Sequence, residues 1–334
     1  MDDLDLVRDL GRELEHEPPA SLARQRNRLL DAAGRGRRRG PGRWTLLGMV
    51  AAVTAAAILV PAVVFHGRDA KPVAAKSAAP GAAFNVLLLG VDGRGGAHAR
   101  SDTIMVVHVP ADRKRVRAVS VPRDSLVRIP ACKTAGGAVL PARRGLINSV
   151  FPEGGAGCAV KTMESLTSVR IDRTVLIDFD GFRAIVDALG GVRVTLPAPV
   201  DDPKAGLKLS AGRHRVSGRT ALAYVRARYG VGDGSDLARI ERQHQFLEAL
   251  VREVRERATG NPVRLARFLT AVAGAVETTP GLGAGELRLL AESFGESGSI
   301  TFDTVPVRPA RQDPNRLEWD RAGADRMFAA FRTS

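Results

Sequence analysis

The chain has 334 residues, 44% of them hydrophobic, which is enough for one large or two medium cores. Its formal net charge is +14, with 43 arginines among 50 basic residues, while aromatic residues make up only 4%, too few to build stacking platforms for single-stranded bases. No helix-turn-helix pattern and no Cys/His finger spacing accompanies the charge, so nucleic-acid binding is set aside as the leading function.

The chain begins with a tail of two characters. Residues 1–17 carry seven acids and two arginines, with Leu4, Val7, Leu10 and Leu14 at helical spacing. Residues 24–43 carry eight arginines against Asp31 alone, a stretch that either lies on an anionic inner leaflet or serves only as a topology signal. Trp44 to Phe65 follow, 22 residues without a charge. As a helix they span roughly 33 Å, long enough for the hydrocarbon core. Arg35, Arg37, Arg38, Arg39 and Arg43 precede this span, and after it charges are sparse, which places the N-terminus in the cytoplasm and the rest outside. A cleaved signal peptide has a short n-region and an apolar stretch of about 7–15 residues; 43 preceding residues and a longer run favour an uncleaved signal anchor. The expected organisation is a cytoplasmic tail (1–43), a transmembrane signal anchor (44–65), an Ala- and Pro-containing linker (66–83) and an extracytoplasmic domain (84–334). Cys132 and Cys158 both lie beyond the span. They predict one disulfide closing a Gly-rich loop, the alternative being two free buried thiols.

Within the outer domain, "FNVLLLGV" (84–91) reads as a buried strand ended by glycine. "TIMVVHVP" (103–110) and "RVRAVSVP" (115–122) read as two more, joined by a hairpin loop at "ADRK" and punctuated by Pro110 and Pro122. Residues 159–169 read as a helix, 174–179 as a strand, and "DGFRAIVDALGG" as a helix with Asp180 at its N-cap and Gly190 as its stop. A strand at 192–196 comes next. From Ser235 to about Ala258 the apolar residues Leu237, Ile240, Leu247, Leu250, Val251 and Val254 form a helical stripe. Helices near 261–276 and 284–294, a strand at 299–307 and a helix at 319–331 complete the chain. Strands alternating with helices predict one α/β/α layered domain around a central mixed sheet.

Several polar residues stand outside this core pattern. Asp92 follows one predicted strand by one residue and Asp102 precedes the next by one, the position at which α/β sheets keep their sites. Two such carboxylates suit a hard cation, Mg²⁺ or Mn²⁺, although Asp is equally a turn residue. Arg123 follows a strand directly. Arg226 and Arg228, two apart in "YVRAR", face one side if that segment is extended, and Arg239 and Gln243 lie one helical turn apart. Arginine forks bind phosphate oxygens bidentately, so the set reads as a kit for a pyrophosphate. No Ser-His-Asp set competes with it: the six histidines are scattered, and Ser101 and Ser125 lack a placed base.

The series "LLLGVDGR", "RSDTIMVVHV", "RVRAVSVPRDSLVRIP", "INSVFPEGG", "TVLIDFDGFRAIVDALGGVRV", "LSAGRHRVSGRTALAYVRAR" and "SDLARIERQHQFL" resembles the LytR-CpsA-Psr family in motif order and spacing, over residues 84 to about 250. The resemblance implies a membrane-anchored phosphotransferase outside the cell. It would move a glycopolymer from an undecaprenyl-pyrophosphate carrier to a peptidoglycan hydroxyl as a phosphodiester. By the family pattern, Asp92 and Asp102 correspond to metal-associated carboxylates. Arg100, Arg123, Arg226, Arg228 and Gln243, joined by Arg239, correspond to pyrophosphate ligands, and the apolar interior holds the prenyl tail. Asp102 and Arg123 are with Asp92 the candidate catalytic residues, while the base for the acceptor hydroxyl stays open between Asp102 and a second acid. Leu146 and Arg173 depart from the Lys or Arg and the His that the family commonly has there. Two rival readings remain: a prenyl-pyrophosphate pyrophosphatase, in which the same residues serve with water as acceptor, and a non-catalytic envelope sensor or scaffold.

Overall fold

The computed structural model describes residues 82–93, 101–134, 136–228, 234–257, 261–279 and 299–332. The expected tail, membrane span and most of the linker, the helix at 284–294 and Arg100 therefore lie outside the described residues. Among the described residues, no helix is long and apolar enough to cross a membrane.

Three strands open the domain as an antiparallel meander: β1 (Phe84–Val91), β2 (Ser101–Val109) and β3 (Arg115–Val121). The short strands β4 (Leu126–Ile129), β5 (Cys132–Lys133), β6 (Val139–Leu140) and β7 (Arg143–Leu146) pair into two small ladders, β4 with β7 and β5 with β6. Then come α1 (Val150–Thr167), β8 (Arg173–Asp178), α2 (Phe179–Ala188) and β9 (Val192–Leu196). They are followed by β10 (Val200–Asp202), β11 (Leu207–Leu209), β12 (Gly212–Val216) and α3 (Gly218–Arg226). The long α4 (Asp236–Arg257) leads to α5 (Pro262–Ala275) and β13 (Val276–Thr279). The last elements are β14 (Ser299–Thr304), β15 (Val307–Pro309), β16 (Leu317–Trp319) and α6 (Arg321–Ala329).

The central sheet has six strands in the order β13-β8-β1-β2-β3-β14. It is mixed as expected, because β8 and β14 join parallel to β1 and β3 while the remaining pairs are antiparallel. In β1, Asn85, Leu87, Leu89 and Val91 turn to one face and are buried. There, Leu87 and Leu89 join Met163 of α1, Trp319 of β16 and Phe328 of α6 in the first core cluster. A second cluster joins α2, α3 and α4 to the β9–β12 ladders, with Phe246 and Tyr224 at its centre. The opposite face of the sheet meets this helical layer across a cavity, so the site is built between layers.

Five expectations need correction. The helix expected at 159–169 starts at Val150 and is broken at Gly155, whose φ of 67° only glycine adopts readily. Of the glycines that hide its first turns from a propensity reading, Gly154 is required by packing: a Cβ there would lie 2.4 Å from the Cys158 Cβ. The strand at 174–179 gives up Phe179 to α2, whose N-cap is Asp178 and not Asp180; the Asp178 carboxylate accepts from the Gly181 N–H at 2.7 Å. The segment carrying Arg226 and Arg228 is not extended, since α3 runs through Arg226. The single closing strand is two, β14 and β15, separated at Val305 and Pro306. Finally, Leu237 of the expected α4 stripe is 41% exposed; the face this end of α4 buries carries Arg239 and Arg242 instead. Cys132 and Cys158 are joined by a disulfide, with Cα atoms 5.5 Å apart, which ties β5 to α1.

Candidate functional site

The cavity between sheet and helices has a volume of about 410 Å³. Its inner wall is apolar: Leu88 and Met105 from the sheet, Phe182 from α2, Leu222 and Val225 from α3, and Phe246 from α4. Its mouth is charged. Asp102, Arg123, Arg226, Arg228, Arg239 and Gln243 all border it, so six of the residues singled out from sequence converge although 141 positions separate the first from the last.

Strand register explains the carboxylates. Val91 pairs with Ser101 across an irregularity after Gly90, so Asp92 sits just beyond one member of that pair and Asp102 just after the other. Asp102 does not precede the strand as expected but is the second residue of β2, which begins at Ser101 rather than Thr103. Asp92 is exposed and is not part of the cavity wall. Gly90 leaves the room here: a Cβ would approach the Thr103 Cβ to 3.0 Å.

Arg123 is the hub of the mouth. Its Nη1 donates to Asp102 Oδ1 at 2.5 Å, and its Nε lies 3.3 Å from Asp236 Oδ1 and 3.7 Å from Asp124 Oδ2. Burial works against its charge, but the Asp102 hydrogen bond and charge, with Asp236 and Asp124 behind, hold its pKa above the usual arginine value. Asp236 was not legible as a site residue. It opens α4, receives a hydrogen bond from Arg239 one turn on, and lies 4.0 Å from Arg228. Burial pushes its pKa up, against the pull of Arg239 and Arg123. The usable signal was the Asp-x-x-Arg spacing in the first turn of a helix. Three buried polar atoms here have no hydrogen-bond partner: Arg123 Nε, Arg239 Nε and Asp236 Oδ2. Unpaired buried donors and acceptors are costly, and their concentration at one point marks a site completed by a ligand.

The loop after α3 is held from two sides. Arg242, buried, donates from Nε to the Tyr224 carbonyl at 3.2 Å and from Nη2 to the Ala227 carbonyl. Asp202 Oδ2 accepts the Arg228 backbone N–H at 2.7 Å. These contacts aim Arg226 and Arg228 at the mouth from a helix end rather than from one face of a strand. The Arg226 guanidinium lies over the Phe179 ring at 4.5 Å, a cation–π contact that keeps it extended. Gln243 Nε2 donates to the Val225 carbonyl at 3.4 Å.

Chemically, an apolar pocket with a ring of arginines and the Asp102 carboxylate at its entrance suits an amphiphile with an anionic, phosphate-type head. Carboxylate oxygens of the kind Asp92 and Asp102 carry are the ligands a hard divalent cation takes. Among the described residues no cluster of three or more His, Cys, Asp or Glu forms a closed metal site.

Known proteins resemble this chain in sequence and fold. The chain is 32% identical over 310 residues to a probable cell wall biosynthesis protein, LcpB, of Corynebacterium glutamicum, covering 86% of this chain and 71% of that one. It is 31% identical over 175 residues to the polyisoprenyl-teichoic acid–peptidoglycan teichoic acid transferase TagV of Bacillus subtilis, covering 50% of this chain and 43% of that relative. The fold matches a LytR-Csp2A-Psr enzyme from Actinomyces oris with a TM-score of 0.60 and 27% identity, over 78% of this chain and 93% of that one. Residues 64–328 match the model of the LytR_cpsA_psr family, and the chain belongs to that family.

Proposed function

We propose that this protein is a transferase that moves a glycopolymer from a polyprenyl-pyrophosphate carrier to a peptidoglycan hydroxyl, forming a phosphodiester. The observation that carries the proposal is the cavity itself: an apolar interior of about 410 Å³ closed by Asp102, Arg123, Arg226, Arg228, Arg239 and Gln243. The TagV relative is named for transfer of polyisoprenyl-linked teichoic acid to peptidoglycan, which supports the same class of donor and acceptor here.

In this reading the prenyl chain lies against Leu88, Met105, Phe182, Leu222 and Phe246, and burial of its methylenes supplies affinity at about 0.8 kcal/mol each. The arginines receive the diphosphate. Arg123 Nε and Arg239 Nε, buried and without a hydrogen-bond partner among the described residues, find acceptors in its oxygens. The acceptor hydroxyl oxygen attacks the phosphorus that bears the glycopolymer. The bond from that phosphorus to the bridging oxygen breaks, and the carrier leaves as the polyprenyl monophosphate. The hydroxyl proton leaves to a carboxylate, Asp102 at the mouth or a second acid. Charge building on the leaving phosphate is met by guanidinium groups already fixed in place. Asp92 and Asp102 would hold Mg²⁺ or Mn²⁺, which when bound neutralises diphosphate charge. Residues 44–65 would anchor the domain to the outer face of the cell membrane, with Arg100, between Asp92 and Asp102 in the sequence, as a further phosphate ligand.

The test is an assay of the full chain in detergent with a polyprenyl-pyrophosphate-linked polymer, with and without peptidoglycan and Mg²⁺. Transfer predicts polyprenyl monophosphate appearing only when peptidoglycan is present. Release without peptidoglycan would make the protein a pyrophosphatase, and no turnover in either arm would leave it a non-catalytic binder.

A further inference from the structure

A second cavity belongs to no step above. It measures about 720 Å³ and is walled by Arg128 of β4, Arg143 and Arg144 of β7, Arg308 of β15 and Arg321 of α6, with Trp319 of β16 among its lining residues. One carboxylate, Glu318, lines it too. Five arginines against one acid leave the wall at +4, and at +3 if Glu153, the partner of Arg143, is added.

The strand register makes the charge deliberate in a physical sense. Arg128 stands directly opposite Arg144 in the β4–β7 ladder, and Ile129 opposite Arg143. Like charges directly opposite on one sheet face destabilise the pair. Glu318, opposite Arg308 in the β15–β16 ladder, pairs with Arg144 and offsets only part of this. Arg128, Arg308 and Arg321 are exposed, and among the described residues none of them has a carboxylate partner. Arg321 lies over the Trp319 ring at 5.9 Å. The Trp319 indole is 4% exposed and its N–H has no hydrogen-bond acceptor. Local conflicts without internal compensation concentrate at functional sites.

Position relates this groove to the first. Leu126 lines the groove and Arg123 lines the pyrophosphate cavity, three residues or at most ~10 Å of chain apart. The two walls are also joined at Asp124, which lies between Arg123 at 3.7 Å and Arg316 at 3.6 Å, while its carbonyl accepts the Leu317 N–H at 3.1 Å. A polymer whose terminal phosphate sits on Arg123 reaches the groove within a few units.

We infer that the arginine groove binds the body of an acidic polymer, one that carries a phosphate or carboxylate on successive units, and so selects anionic glycopolymers as the transferred cargo. Several separated arginines, rather than one cradle, match repeated charges and not a single anion. The inference rests on the transferase reading for its role, but polymer binding itself does not require turnover.

The test uses the full chain in detergent and fluorescently labelled poly(glycerol phosphate) at low salt, with polygalacturonate, dextran and soluble peptidoglycan fragments as competitors. Both polyanions should compete and dextran should not. The triple variant Arg128→Ala, Arg308→Ala, Arg321→Ala should weaken polymer binding about 10-fold, with binding of a prenyl pyrophosphate unchanged. A control triple, Arg252→Ala, Arg264→Ala, Arg267→Ala, removes the same charge from exposed positions on α4 and α5 and should bind like the parent. Equal losses in both triples, no loss in the groove triple, or peptidoglycan fragments outcompeting both polyanions would overturn the inference. Wild-type protein that binds polymer but transfers nothing would instead refute the transferase reading and leave the groove standing. Phosphate and carboxylate polymers competing to different degrees identify which acid the groove reads.

Discussion

Replacing Arg123 by Ala tests the pyrophosphate site at its hub. Four arginines meet at the mouth, Arg123, Arg226, Arg228 and Arg239, with Asp102 and Asp178 also on the cavity wall and Asp124 and Asp236 beside Arg123 and Arg239. The variant removes one of these positive charges together with a buried Nε that has no hydrogen-bond partner among the described residues. A charge-assisted hydrogen bond of this kind contributes about 1.5–3 kcal/mol, so affinity for a prenyl diphosphate should fall about 10- to 100-fold. Arg123→Lys restores charge without the fork and should recover only part of the loss. The assay is calorimetric titration of the full chain in detergent with farnesyl pyrophosphate, beside a melting curve to show that the fold persists. Asp102→Asn keeps the hydrogen-bonding shape and removes one acid, so it should reduce Mg²⁺-dependent turnover more than ligand binding. A diphosphate affinity unchanged in Arg123→Ala, with an unchanged melting curve, would refute the placement of the ligand.

Other consequences can be measured directly. Leu222→Trp fills the apolar wall and should weaken long prenyl pyrophosphates at least about 10-fold, by the loss of two or more buried methylenes, while inorganic pyrophosphate binds as before; equal loss for both ligands would place the tail elsewhere. Removing the disulfide by Cys132→Ser and Cys158→Ser opens a loop of sequence separation 26 and should lower stability by about 3.5 kcal/mol, read by denaturant titration; an unchanged midpoint would mean the bridge constrains nothing. His244 is buried, its Nε2 2.8 Å from Ser120 Oγ. Burial lowers its pKa below the ordinary 6.5, with Glu241 and Asp303 opposing. The unfolded chain then binds the extra proton first as pH falls through 6.5, so stability should be full above that value and decline below it. His244→Gln should flatten that decline in melting curves taken between pH 5 and 8, and an unaltered slope would assign the acid loss to other groups.

Much of this was determined by sequence alone, and the reasons are local. The meander β1 to β3 was legible because apolar runs bounded by Pro110 and Pro122 have one reading. The long α4 was legible because its apolar spacing is sustained over 22 residues. Asp102 and Arg123 stood out because charged residues sit at strand ends where a core does not call for them, and Arg239 and Gln243 because they lie one helical turn apart. The Cys132–Cys158 pairing followed from there being two cysteines. Tertiary structure decided the rest. Asp236 looks like an ordinary first-turn acid until α4 carries it to Arg123, a strand away. The start of α1 was hidden because Gly154 is chosen for its contact with Cys158, a constraint that no propensity records. β13 was missed because a four-residue edge strand is defined by its pairing with β8 and not by its own pattern. Arg128 and Arg144 read as two surface charges until the β4–β7 register sets them face to face. Periodicity reports which side of an element is buried, whereas what that side meets depends on contacts between residues far apart in the chain, and only folding brings those together.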